Sequence, residues 1–108
     1  MIEVQFWTDH NQRVRAIQIS GHAGLSSPGT DVLCAAVSAL TYTLRDGIQE
    51  ILEKEVRSNL EEGDFYLELE SEGDPGTELI FATVLQTLKK LALQYPERLQ
   101  IRRKEDGA

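Results

Sequence analysis

Apolar and polar residues alternate at the start of the chain. Ile2, Val4 and Phe6 interleave with Glu3 and Gln5, a period of two that predicts a half-buried strand. Asp9-His10-Asn11-Gln12 reads as a polar turn, and a second strand follows over about 13–20. Residues 21–30 hold three glycines and a proline and show no periodicity, so they read as a mobile loop. From Asp31 the pattern turns helical. Leu33, Val37, Leu40, Leu44, Ile48 and Ile51 step by 4, 3, 4, 4 and 3, the spacing of one buried stripe. Residues 56–60 and 65–69 read as strands around a Glu61-Glu62-Gly63-Asp64 hairpin, where Gly63 suits a positive φ. A second helix is predicted over about 78–94, with Ile80, Val84, Leu88, Leu91 and Tyr95 on one face and Pro96 helping to stop it. Residues 99–103 complete the pattern as a short strand. The fold class is therefore α+β: two helices packed on a mainly antiparallel sheet, in the order ββα-ββα-β.

Length and charge narrow the function classes. A chain of 108 residues is one domain, 1–108, and buries roughly two-thirds of its extended surface. The net charge is 11 − 18 = −7, which repels phosphate backbones and argues against direct nucleic-acid or anionic-membrane binding. The acidity is concentrated in residues 45–75, with 11 acids and 3 bases, while residues 76–108 hold 4 acids and 6 bases. No apolar run reaches the length of a membrane span. The first residues lack the basic stretch and apolar core of a signal peptide, so a cytoplasmic location is expected. One cysteine excludes an intrachain disulfide and a cysteine-rich zinc cage.

That cysteine is the main candidate for chemistry. Pro28-Gly29-Thr30-Asp31 and Pro75-Gly76-Thr77-Glu78 open the two helices 47 residues apart, and the second helix carries Phe81 where the first carries Cys34. A helix start of this kind does not need a cysteine. With Thr30 or Asp31 as cap, Cys34 falls in the first turn, where free N–H groups and the positive end of the dipole favour a nucleophilic thiol. The plain alternative is a small packing residue, the usual role of a buried free cysteine. His22 lies twelve residues earlier between Gly21 and Gly24, on a loop long enough to fold it over the helix start. An imidazole there takes the thiol proton and returns one to a leaving group; the alternative is a solvent-exposed bystander, as His10 is read to be. Asp31 suits a first-turn acid and also an orienting group for His22. Ser38 lies one turn beyond Cys34 on the same face. A metal site built from His22, Cys34, Asp31 and His10 has no familiar ligand spacing, and a redox-sensing thiol lacks a resolving cysteine in the chain.

Gly21-His22-Ala23-Gly24, followed by Asp31-Val32-Leu33-Cys34-Ala35-Ala36-Val37-Ser38-Ala39-Leu40, resembles the signature of the ribosomal-processing cysteine protease family Prp. The resemblance covers nearly the whole chain. It implies a small cytoplasmic endopeptidase, usually a homodimer and without a cofactor. Such an enzyme removes the N-terminal extension of a large-subunit ribosomal protein, cutting after phenylalanine, during ribosome assembly. On the matching positions it implies Cys34 as nucleophile, His22 as general base, and Asp31, Gly21 and Ser38 in support. The rival reading is a non-catalytic, ribosome-associated peptide-binding module.

Overall fold

The alternating start of the chain forms β1 (Ile2–Thr8), which turns back into β2 (Val14–Ser20). The helical stretch forms α1 (Pro28–Arg45) and continues as a π-helical turn over Asp46–Ile51. A hairpin of β3 (Val56–Glu61) and β4 (Asp64–Leu69), then α2 (Pro75–Gln94) and β5 (Leu99–Lys104), complete the chain. The computed structural model describes residues 1–22, 28–61 and 63–104. The strands form one sheet in the order β3-β4-β2-β1-β5, antiparallel except where β5 runs parallel to β1. This is the predicted ββα-ββα-β arrangement.

One face of the sheet presents Ile2, Val4, Ile17, Ile19, Phe65, Leu67, Leu69 and Leu99 to the helices, and Leu33, Val37, Leu44, Phe81, Val84, Leu85 and Leu88 meet them there. Burying a side chain the size of Leu or Phe stabilises the fold by about 1.5–3 kcal/mol, so this single apolar layer drives folding. The opposite face carries the polar half of each alternation. There Trp7 and Tyr66 meet edge-on, 6.4 Å between ring centroids. Trp7 pairs with Ala16 across the ladder, and Ala16 is buried.

Local chemistry explains the turns. Asp9 Oδ1 accepts the N–H groups of Asn11 and Arg13 at 2.8 and 3.1 Å, closing the β1–β2 turn. Burial pushes the Asp9 carboxyl up, but the N–H groups of Arg13 and Asn11, with His10 and Gly73, outweigh it and hold the carboxyl below its usual range. His10 is exposed and pairs with Glu72 at 3.4 Å, in keeping with its reading as a bystander. At the start of α2 the Asp74 carboxylate accepts the Thr77 N–H and the Thr77 hydroxyl accepts the Asp74 N–H, both at 2.9 Å, a reciprocal cap.

Two expectations are corrected. Both helices begin on their prolines, Pro28 and Pro75, three residues before Asp31 and Glu78; proline has no N–H to lose at a first helical position and its φ already fits. The helix therefore takes residues 28–30 from the predicted loop, whose remaining residues 23–27 lie outside the described ones. Ile51 is not in the core but 79% exposed. The π-helical turn that ends on Ile51 adds about a residue per turn, so a spacing of 3.6 no longer points it inward. Among the described residues no helix is long and apolar enough to cross a membrane.

Candidate active site

The end of β2 is tied down on two sides. Gly21 has φ +89° and its N–H donates to the Gly63 carbonyl at 3.0 Å. A Cβ on Gly21 would collide with the carbonyl oxygen of Met1. The His22 carbonyl accepts the N-terminal amine of Met1 at 2.6 Å. The His22 ring, exposed to solvent, lies against Gly63 of the β3–β4 hairpin. The start of β1, the end of β2 and the β3–β4 hairpin thus converge on His22. This convergence follows from the strand order, which puts β2 between β1 and β4.

Cys34 is half-buried and packs against the core beside Leu33 and Val37, both buried. Because α1 begins at Pro28, Cys34 lies in its second turn and not in the first. The dipole field is concentrated in the first turn, so the thiol gains less from the helix end than a start at Asp31 implied. Ser38 is exposed one turn further on, and its carbonyl accepts the Thr41 hydroxyl at 2.7 Å. Asp31 has its backbone in the first turn of α1, and its side chain lies outside what is described.

The structure therefore brings Gly21 and His22 together with Gly63, and sets Cys34 and Ser38 on one flank of α1. Among the described residues no hydrogen bond joins His22 to Cys34. Sequence reasoning missed the contact of Gly63 with His22. Its one local signal is the hairpin glycine; the contact itself depends on β4 pairing with β2, which no local pattern encodes. Among the described residues no group of three or more His, Cys, Asp or Glu side chains could hold a metal ion. A cavity of about 410 Å³ lies between α2 and β1, lined in part by Phe6, Val14, Leu85, Lys89 and Arg103. It sits at the far end of β1 from His22. Arg103 donates there to Thr8 and Gln12, and Glu78 accepts from Val14; among the described residues no Cys or His lines the cavity, so it is not the site of the chemistry expected here.

The comparisons with known proteins bear on this arrangement. The chain belongs to the family described as Cysteine protease Prp, whose family model matches residues 1–100. By that description the family is one of cysteine proteases. Among solved structures, the essential ribosomal processing protease Prp from S. aureus in complex with a covalently linked product peptide is similar at 24% identity and a TM-score of 0.86. The match covers 96% of this chain and 100% of that one. The S. aureus Prp in complex with a substrate peptide is similar at 23% identity, with the same TM-score and coverage. SMU.848 from Streptococcus mutans is 23% identical with a TM-score of 0.82, covering 98% of this chain and 96% of that one. At these identities the likeness is one of fold. A search of curated proteins found no match.

Proposed function

We propose that this chain is a cysteine endopeptidase that removes the N-terminal extension of a large-subunit ribosomal protein, cutting after phenylalanine, during ribosome assembly. The observation that carries the reading is the family match over residues 1–100, which spans both His22 and Cys34. Cys34 is the nucleophile and His22 the general base. His22 takes the thiol proton as Cys34 Sγ attacks the scissile carbonyl, and gives that proton to the leaving amine. Water then cleaves the thioester, releasing the extension with a free carboxylate and restoring the thiol. Asp31 and Ser38, set on the Cys34 flank of α1 by their spacing, support the site, and Gly21 fixes the strand end that carries His22. The N–H groups in a helix's first turn have no intrahelical partner, so the start of α1 supplies the oxyanion stabilisation in this reading.

The partner is a basic ribosomal-protein tail, and the net charge of −7 favours its capture. The S. aureus Prp complexes with peptides support a peptide as the substrate class. A cytoplasmic homodimer that binds no nucleic acid directly completes the proposal. The outward face of α1, where Val32, Ala35, Ala39 and Tyr42 are exposed and uncharged, offers a surface for a second copy; sedimentation at a monomer mass throughout the micromolar range would refute the dimer.

The test is incubation with a peptide spanning the extension and the mature start, beside the Cys34→Ala and His22→Ala variants, read by mass spectrometry. Cleavage after phenylalanine that disappears in both variants is the expected result. A peptide that binds and stays intact would return the peptide-binding module instead.

A further inference from the structure

The imidazole of His22 occupies the space that a side chain at position 63 would fill. A Cβ built on Gly63 would lie 2.7 Å from His22 Nε2 and 2.8 Å from Cε1, whereas unstrained heavy-atom contacts settle at about 3.5–4.0 Å. Chain neighbours do not bring the two residues together. They meet because β4 lies beside β2 with Ser20 opposite Asp64, and because the Gly21 N–H donates to the Gly63 carbonyl. The backbone at Gly63 also has φ +78°. Two separate demands therefore fall on one residue. The hairpin needs a positive φ, which asparagine also adopts readily. The ring needs empty space, which only glycine leaves.

We infer that Gly63 is a positioning residue for His22: the β3–β4 hairpin forms the wall against which the ring stands, and the missing side chain sets where that ring can be. The inference rests on the proposed role of His22 as general base. Any side chain at position 63 must push the ring away by roughly an ångström to restore ordinary contact. A misplacement of that size costs a catalytic group on the order of 100-fold in rate.

The experiment uses Gly63→Asn, which preserves the backbone conformation, alone and combined with His22→Ala. Three readouts are compared: the Cε1–H resonance of His22 (assigned as the signal lost in His22→Ala), the Tm, and kcat and KM on the peptide. Gly63→Asn is expected to shift the His22 resonance and to lower kcat by 10- to 100-fold with KM within about twofold of wild type. Its loss in Tm should shrink by at least half once His22→Ala removes the ring. An unmoved resonance, an equal loss in Tm with and without the ring, or a moved resonance with unchanged kcat would each overturn the inference. Should the single variant not fold, recovery of folding in the double variant supports the contact and continued unfolding overturns it. If the wild-type chain leaves the peptide uncut, the proposed function fails on its own, while the resonance and Tm still decide the contact.

Discussion

Glu78 ties the first turn of α2 to the start of β2. The β1–β2 ladder slips between Trp7 and Thr8, so that Thr8 faces Val14 while Trp7 faces Ala16. At this bulge the N–H of buried Val14 donates to Glu78 Oε2 at 2.9 Å, from the first turn of α2. Glu78→Ala removes the acceptor and leaves this part-buried N–H without its protein partner. A hydrogen bond to a charged group contributes about 1.5–3 kcal/mol, and an acid in a first helical turn adds about 0.3–1 kcal/mol. The expected loss is thus about 2–4 kcal/mol, a large part of the ~5–15 kcal/mol that holds a domain together. Glu78→Gln keeps a carbonyl oxygen in reach and should lose only about 1 kcal/mol, the charged part of the bond. Urea unfolding followed by circular dichroism measures both. Cleavage per folded molecule should stay near wild type, because this bond lies at the far end of β2 from His22. A loss under about 0.5 kcal/mol for Glu78→Ala, or equal losses for both variants, would refute the reasoning.

Other expectations concern acid stability, the thiol and salt. Asp74 is held below its usual range by the side chain of Lys54, then by the Thr77 N–H. A carboxyl depressed by folding stabilises the fold above its unfolded value of 3.8 and loses that contribution as pH falls through the lower folded value. Asp74→Asn keeps a good cap and removes the ion pair, so its stability deficit should close as pH drops below about 4 in acid titrations of Tm; a deficit independent of pH would count against this. Cys34→Ala removes one half-buried sulfur and should cost under about 1 kcal/mol in urea unfolding while abolishing peptide cleavage; loss of both together would make Cys34 a packing residue. Raising salt should raise KM for the basic peptide with little change in kcat, and a constant kcat/KM across the titration would remove the role of the acidic surface.

Most of the fold was legible because its faces are clean. The alternation in β1 and the helical stripe from Leu33 to Ile48 each report one buried side. Ile51 broke the pattern because periodicity assumes an α-helix, and the π-helical turn is set by tertiary packing. There Gly47 lies so close to α2 that a Cβ would sit 3.1 Å from Ile80 Cδ1. The site was half legible. Cys34 and His22 stand out as residue types that an ordinary loop and helix do not require. The company of His22 was hidden, since Met1 and Gly63 reach it only through the order of strands, and a sequence periodicity carries no strand order.

The two helix starts share one architecture but bury different faces. Aligned on their prolines, Cys34 matches Phe81, Val37 matches Val84, Ser38 matches Leu85 and Thr41 matches Leu88. In α2 all four of those positions are buried, and Phe81 is wholly enclosed. Among the described residues of α1 the buried positions are Leu33, Val37, Thr41 and Leu44, while Cys34 is half-buried and Ser38 exposed. With 3.6 residues per turn, the buried stripe of α1 is rotated by roughly 50° from that of α2. The rotation carries positions 34 and 38 together from the centre of the core to its edge. Packing energy does not call for it, since a Phe and a Leu at those two places bury far more apolar surface than a Cys and a Ser. What the rotation provides is a thiol held by a rigid helix, anchored beneath by Leu33 and Val37, yet open on one flank. The nucleophile role proposed for Cys34 needs that combination of fixed position and access, and a core residue does not.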